Sequence, residues 1–265
     1  MPHSAEQALQ DGDAAGALKL LTEQVRKAPQ DAKLRVFLFQ LLVVLGQWER
    51  ALNQLTVAAE LDAAALPMAQ TYREAIHCET LRLQVFAGQK VPVLMGEPEP
   101  WVALLIEALL RAGRGEADAA AKLREQALGD APVSAGTLND QPFEWIADAD
   151  GRLGPTLEAV INGRYYWLPF NRLSQVTIEA PVDLRDAVWM PANFVFSNGG
   201  ETVGLIPTRY PDTPLASGGP LALARRTEWL EAPDGSWLGH GQRLLTTSAQ
   251  EVALMDVRSI VLAPG

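Results

Sequence analysis

Apolar residues recur at a fixed spacing in the first half of the chain. An alanine followed four positions later by a leucine occurs at Ala17 and Leu21, Ala51 and Leu55, and Ala119 and Leu123. These pairs are 34 or 68 residues apart, and 34 residues is the period of the tetratricopeptide helix–turn–helix unit. In that unit a small residue allows two helices to approach closely, and a larger apolar residue fills the next gap. The pattern predicts a tetratricopeptide-like all-α array; the alternative is an irregular helical bundle with a coincidental spacing.

The array is interrupted in its middle. A long helical segment is predicted at about residues 67–87, and it is followed by the loop GQKVPVLMGEPEP. Pro100 then opens a helix through residues 101–112, as is usual for proline in the first turn of a helix. Pro29 lies where the first unit ends, since proline cannot continue a helix.

The second half reads as strands joined by tight turns. Asn162-Gly163 lies between two β-prone runs and favours a type I′ turn. The run 194–206 repeats this arrangement, 175–179 is a short alternating strand, and 250–262 is a strand or short helix followed by a strand. The segment 225–229 is a candidate helix. We therefore predict a two-domain α+β protein, with a tetratricopeptide-like helical domain at residues 1–133 and a compact α+β domain dominated by antiparallel sheet at residues 134–265.

Composition excludes several classes of protein. An apolar content of 48% in 265 residues excludes a disordered chain. The net charge of −10 disfavours nucleic acid and anionic membranes as partners, because both attract a cationic surface. The longest apolar windows are too short to span a bilayer, and no secretory signal precedes them. With Cys78 as its one cysteine, the chain is expected to be soluble and cytoplasmic.

No motif indicates a cofactor or a metal, and we expect neither. The most tempting string, Asp148-Ala149-Asp150, begins like a calcium loop. It then fails, because Arg152 stands where a ligand oxygen is required and Leu153 stands where the loop needs glycine. The favoured interpretation is a turn in which the aspartates bind nearby backbone amides and pair with Arg152.

A second group of acids surrounds Arg185. Asp183 and Asp186 are expected to form a salt-bridged turn, and Arg209 is expected to satisfy a local carbonyl or acid. The alternative is a carboxylate-based or metal-dependent hydrolase that uses the aspartates of both turns, Asp148, Asp150, Asp183 and Asp186. That activity requires the four carboxylates to share one cleft, within about a nanometre of each other.

Seven strings of the second half, taken in order, carry a family resemblance. They are FEWIADADGRLGPTLE (143–158), INGRYYWLPF (161–170), DLRDAVWMP (183–191), VGLIPTRY (203–210), RRTEW (225–229), GQRLL (241–245) and LMDV (254–257). Together they resemble the TagJ/ImpE family, also called SciE-type virulence proteins, which are accessory proteins of bacterial type VI secretion systems. The resemblance covers nearly all of residues 134–265.

The resemblance implies a non-enzymatic role. Members of the family are associated with the small subunit of the contractile sheath, TssB or VipA, and bind its N-terminal helical segment. A link to ClpV, the ATPase that disassembles the contracted sheath, is also implied.

Stacked helical hairpins offer a concave surface that suits such a partner helix. If the 34-residue register holds, the groove is lined by Lys33, Val36, Gln40 and Val43 on the first helix of the second unit. Two alternatives stay open at this point. In the first, Val36 and Val43 contact the C-terminal domain and not a partner. In the second, the C-terminal domain supplies the groove through its aromatic-rich face.

Overall fold

A computed structural model describes residues 4–264 of the chain. Its first half is helical, as the 34-residue pattern predicts. The seven α-helices in these residues are α1 (Ala5–Gln10), α2 (Ala14–Lys27), α3 (Ala32–Val44), α4 (Trp48–Leu61), α5 (Leu66–Phe86), α6 (Pro100–Gly113) and α7 (Ala117–Asp130). No helix among residues 4–264 is both long and apolar enough to cross a membrane.

Local sequence explains where these helices begin and end. The side chains of Asp13 and Asp31 accept hydrogen bonds from the first free amides of α2 and α3. Gly12 and Gly46 follow α1 and α3 with positive φ angles of 82° and 67°. Each glycine occupies the left-handed position just beyond a helix, where a residue with a side chain is strained. Their spacing of 34 residues follows because this position recurs in successive helical units.

The repeat holds in the first two hairpins and shifts in the last. Ala17, Ala51 and the leucines four positions after them are fully buried, as predicted. In α7, by contrast, the buried alanines are Ala120 and Ala127, while Ala119 and Leu123 are half-buried. The predicted register is therefore wrong by one residue in α7, because the long helix α5 and the following loop separate that hairpin from the array.

Fourteen β-strands lie in the described residues, all but the first of them in the second half of the chain. They are β1 (Val93–Leu94), β2 (Gly136–Leu138), β3 (Gln141–Phe143), β4 (Ile146–Asp148), β5 (Thr156–Ile161), β6 (Arg164–Pro169), β7 (Leu173–Ile178), β8 (Trp189–Phe196), β9 (Glu201–Pro207), β10 (Thr227–Glu231), β11 (Trp237–Gly241), β12 (Leu244–Thr247), β13 (Glu251–Ala253) and β14 (Ser259–Leu262). The predicted α+β class is confirmed.

Nine strands form one large sheet in the order β1-β6-β5-β9-β8-β7-β14-β2-β3. All of its neighbours are antiparallel except β1 and β6. The turn between β5 and β6 has positive φ at both Asn162 and Gly163, as its Asn-Gly sequence predicts. Two smaller sheets pair β10 with β11, and β12 with β13 and β4.

One segment differs from its predicted structure. Residues 225–229 were a candidate helix, but residues 227–231 form β10, which pairs with β11. Trp229 packs on Tyr210 with 5.5 Å between ring centroids. Pairing in a hairpin with β11, which begins six residues later, and this aromatic contact outweigh the local helical preference.

The predicted boundary between residues 133 and 134 separates helix from strand, but it does not separate two cores. The last helix ends at Asp130 and β2 begins at Gly136, whereas β1 lies in the first half and joins the large sheet. One apolar cluster combines Leu38–Leu45 of the array with Trp167 and Trp189 of the sheet. A second cluster lies on the other face of the sheet and is built from the second half.

Arg209 fastens the C-terminal half to the array. Its Nη1 donates to the carbonyls of Val44 and Ala222 at 2.8 and 2.5 Å, and its Nη2 donates to the carbonyl of Val43 at 3.3 Å. Val43 and Val44 are the last residues of α3, so the buried guanidinium binds the carbonyl end of that helix, where the helix dipole favours a cation. Burial lowers the pKa of Arg209 to about 10.

Arg209→Met is expected to lower the free energy of unfolding by about 2–4 kcal/mol, because buried carbonyls lose their donors. Urea denaturation monitored by circular dichroism measures the change. The matched control is Arg226→Met, which removes an exposed guanidinium paired with Glu228 and should leave stability nearly unchanged. Equal stability of the two variants would contradict a fastening role for Arg209.

Candidate partner-binding surfaces and the buried ion network

The predicted groove on α3 is largely closed. Lys33 is exposed and Val36 is half-buried, but Gln40 is only 7% exposed and Val43 is fully buried. Gln40 donates to the carboxylate of Asp183 at 3.1 Å. The prediction that Gln40 and Val43 line an open groove is wrong, because the C-terminal half of the same chain fills the inner face of α3. A partner contact at Lys33 and Val36 stays a prediction.

A chain of buried charges joins α5 to the sheet. Arg82 on α5 donates to both carboxylate oxygens of Glu158 on β5, at 2.6 and 3.1 Å, and to Glu79 at 3.3 Å. Arg243 donates to the same Glu158 and, at 2.6 Å, to Asp148. All five side chains are buried. Such a cluster is stable only while every member keeps its partners, since an isolated charge in the interior costs several kcal/mol.

Hydrogen bonds from aromatic side chains complete the network. The hydroxyl of Tyr165 donates to Glu158 and accepts from the indole nitrogen of Trp167 at 2.7 Å. The indole nitrogen of Trp189 donates to Glu79 at 2.9 Å. The polar atoms at the centre of the protein are thereby satisfied by residues that also build its aromatic core.

The two central acids have opposite pKa shifts. Burial alone would raise the pKa of Glu158, but the guanidinium groups of Arg243 and Arg82 outweigh it and lower that pKa to about 2. Burial raises the pKa of Asp148 to about 6, against the opposing charge of Arg243 and with the help of the Asp150 carboxylate. Glu158 has two arginine partners and Asp148 has one, which accounts for the difference.

The aspartate-rich turns have the structural roles predicted for them. Asp148 accepts from the amide of Asp150 at 2.8 Å, and Asp150 pairs with Arg152 at 2.6 Å. Asp183 pairs with Arg185, and Asp186 accepts from the amides of residues 182 and 183. Each carboxylate is bound by backbone amides or arginine side chains, Asp148 by Arg243 as well, so nothing in this arrangement favours the hydrolase alternative. Within residues 4–264, no group of three or more histidine, cysteine or acidic side chains is placed to hold a metal.

An open groove lies between α5 and the outer face of the large sheet. Its volume is about 480 Å³. The α5 side carries Thr71, Tyr72 and Glu74. The remaining lining residues belong to the sheet and its turns, and they are Val160, Asn162, Gly163, Thr177, Glu179, Pro191, Ala192, Asn193, Val203, Gly204 and Leu205.

Sequence reasoning missed this groove. Alternation along β8 and β9 marks Asn193 and Val203 as facing away from the apolar cluster on the opposite face of the sheet, and both are exposed. The position of α5, which leaves this part of the sheet uncovered, has no signal in the sequence.

Glu158→Gln is expected to destabilise the protein by about 3–5 kcal/mol, because Arg82 and Arg243 lose their shared counter-charge. Chemical denaturation measures the loss. Glu116→Gln is the control, since Glu116 forms an exposed pair with Arg111 and its removal should change stability little. A similar effect of both substitutions would refute the central role of Glu158.

The raised pKa of Asp148 predicts a pH dependence. The folded protein holds a proton on Asp148 up to about pH 6, whereas the unfolded chain releases it near 3.8. The stability gained from this proton is therefore complete below about pH 3.8 and is lost as the pH rises through 6. Against the non-titrating Asp148→Asn variant, the wild type should lose stability by up to about 1.4 kcal/mol per pH unit in this window.

Unfolding free energies of the two proteins at a series of pH values test this expectation. Asp130→Asn, at an exposed position, controls for effects of the buffers. A difference between wild type and Asp148→Asn that stays constant from about pH 4 to 6.5 would show that Asp148 does not titrate as described.

Comparison with known proteins identifies relatives of the whole chain. The sequence model of the ImpE protein family matches residues 140–261, and a tetratricopeptide repeat model matches residues 8–74. The chain is 52% identical over 260 residues to the type VI secretion system accessory component TagJ of Pseudomonas aeruginosa, covering 98% of this chain and 91% of that protein.

A solved structure supports the same relationship. The crystal structure of a Vibrio parahaemolyticus protein superimposes with a TM-score of 0.88 at 26% sequence identity, covering 98% of this chain and 97% of that one. The helical array and the large sheet thus occur together in both proteins. Given this fold and the identity over nearly its whole length, the chain belongs to the TagJ/ImpE family of type VI secretion system accessory components.

Proposed function

We propose that this protein is a non-enzymatic adaptor that binds the N-terminal helical segment of the sheath small subunit, TssB or VipA. The observation that carries the proposal is the 52% identity to an accessory component of the secretion system over 98% of the chain. The structure is compatible with this role, since a tetratricopeptide-like array and an open groove are features of proteins that bind other chains. The adaptor works in the cytoplasm and brings the sheath to the ClpV ATPase.

Charge supports a protein partner with basic residues. The chain has a formal net charge of −10, so association with a basic helix is accelerated and an acidic surface is repelled. The acids of the buried ion network are paired with arginines, so they add little to the electrostatic field around the protein. The exposed acids of the surface supply it.

A pull-down with the full-length sheath small subunit, and with the same subunit lacking its first helical segment, tests the proposal. We expect recovery of the full-length subunit and at least a tenfold lower recovery of the truncated one. Circular dichroism of the truncated subunit controls for its folding. Equal recovery of the two forms would exclude capture of that helix.

A further inference from the structure

We propose that the groove between α5 and strands β7–β9 is the docking site of the partner, and that its occupant is an amphipathic helix with basic residues along its flanks. This inference rests on the proposed function, since it assigns a place and a chemistry to the same interaction. It differs from the α3 site expected from the sequence, whose Gln40 and Val43 are buried inside the protein.

The sheet itself excludes an extended peptide as the occupant. Strand β9 is paired with β5 on one edge and β8 on the other, and β8 is paired with β9 and β7. The backbone of β8 is therefore engaged on both edges, and that of β9 is paired with β8 along its length and with β5 through Val160 and Leu205. A chain lying on this face gains no main-chain hydrogen bonds from it and must satisfy its own, which a helix does.

The uncovered width of the sheet suits one helix. Helix α5 covers β5 and β6, where Val160, Tyr165 and Trp167 are buried. Trp189 at the start of β8 is also covered by the array, but the exposed Thr177, Asn193 and Val203 show that the middle of β7, β8 and β9 is uncovered. At about 4.8 Å between strands, this part is about 10 Å wide, which equals the usual distance between packed helices. A helix placed there lies beside α5 and extends the helical layer.

The floor of the groove is low and partly apolar. Val203 is 73% exposed in the middle of β9, next to Pro191 and Leu205 in the groove lining. Gly204, the next residue, faces the opposite side of the sheet, since a Cβ there would meet Ile161 and Phe194 of the other apolar cluster. Apolar side chains of a helix can therefore reach the sheet between α5 and β7.

Both sides of the groove are acidic. Glu74 lies on α5, and Glu179 follows β7 on the other side of the floor. No lysine, arginine or histidine lines the groove. Neither carboxylate forms a salt bridge within residues 4–264. These two acids, on opposite sides of the floor and outside any salt bridge, select a helix with basic residues on both flanks of its apolar face.

Binding of a fluorescently labelled peptide tests the assignment. The probe is the N-terminal helical segment of the sheath small subunit from the same bacterium, and the full-length adaptor is titrated by fluorescence anisotropy. Val203→Asp places a charge on the apolar floor and should raise the Kd at least tenfold. The matched control is Val182→Asp at a 90% exposed position outside the groove, which should leave the Kd within about twofold, or roughly 0.4 kcal/mol.

A second pair of variants tests the charges. The double variant Glu74→Gln and Glu179→Gln should weaken binding several-fold at low salt. It should also reduce the dependence of the Kd on salt concentration, because salt screens the same charge interactions that the two substitutions remove. Glu144→Gln combined with Glu251→Gln, at exposed sites outside the groove, removes the same net charge and should have a smaller effect.

The outcomes separate this inference from the proposed function. If the wild-type protein does not bind the peptide, the proposed function fails and the docking site fails with it. If the wild type binds and Val203→Asp binds equally well, the groove is excluded and the proposed function stands. Loss of binding in Val36→Asp, with binding retained in Val203→Asp, would place the site on α3. Unchanged melting temperatures show that the variants remain folded.

Discussion

The ion pair between Arg82 and Glu158 is the interaction on which the architecture depends. Arg82 belongs to the longest helix and Glu158 to a central strand, and both are buried. The two charges are buried away from water because α5 packs against β5. Arg243 and Asp148 extend the chain of charges to the three-stranded sheet, where Asp148 ends β4 and Arg243 precedes β12. Separating α5 from the sheet would leave charges unpaired in the interior, so the helical and sheet-rich halves form one cooperative structure.

Arg209 and the shared apolar cluster act in the same direction. The guanidinium of Arg209 binds the carbonyl end of α3, and Trp189 packs against Trp48 and Tyr72 of the array at 6.0 and 5.8 Å between ring centroids. The inner face of the array is thus used within the molecule. In many tetratricopeptide proteins that face binds a partner; here the chain fills it with its own second half. The open groove of this protein lies instead at the boundary between α5 and the large sheet.

The location of this groove connects the fold to the proposed function. Helix α5 is fastened to β5 and β6 by charge and aromatic contacts, which gives the groove a rigid wall. Strands β7–β9 provide a paired floor whose outward side chains are uncovered. A rigid and preformed site reduces the ordering cost of binding. The same interactions that stabilise the core therefore prepare the surface on which we place the partner helix.

The sequence by itself determined the features that depend on neighbouring residues. The 34-residue spacing of Gly12 and Gly46, the Asn162-Gly163 turn and the Asp150–Arg152 pair each need contacts over only a few positions, and all are present. Family motifs indicated the relationship that the comparisons confirm.

Only the tertiary structure decided which distant surfaces meet. Arg82 and Glu158 are separated by 76 positions, and Arg243 and Asp148 by 95. The spacing of residues along the chain does not predict such pairs. The helical period shows that one side of α3 is apolar, but it does not show whether that side faces a partner or the second half of the same chain. Burial of Val43 follows from how α3 packs against the second half of the chain, and exposure of Val203 follows from where α5 lies on the sheet; both are properties of the whole fold.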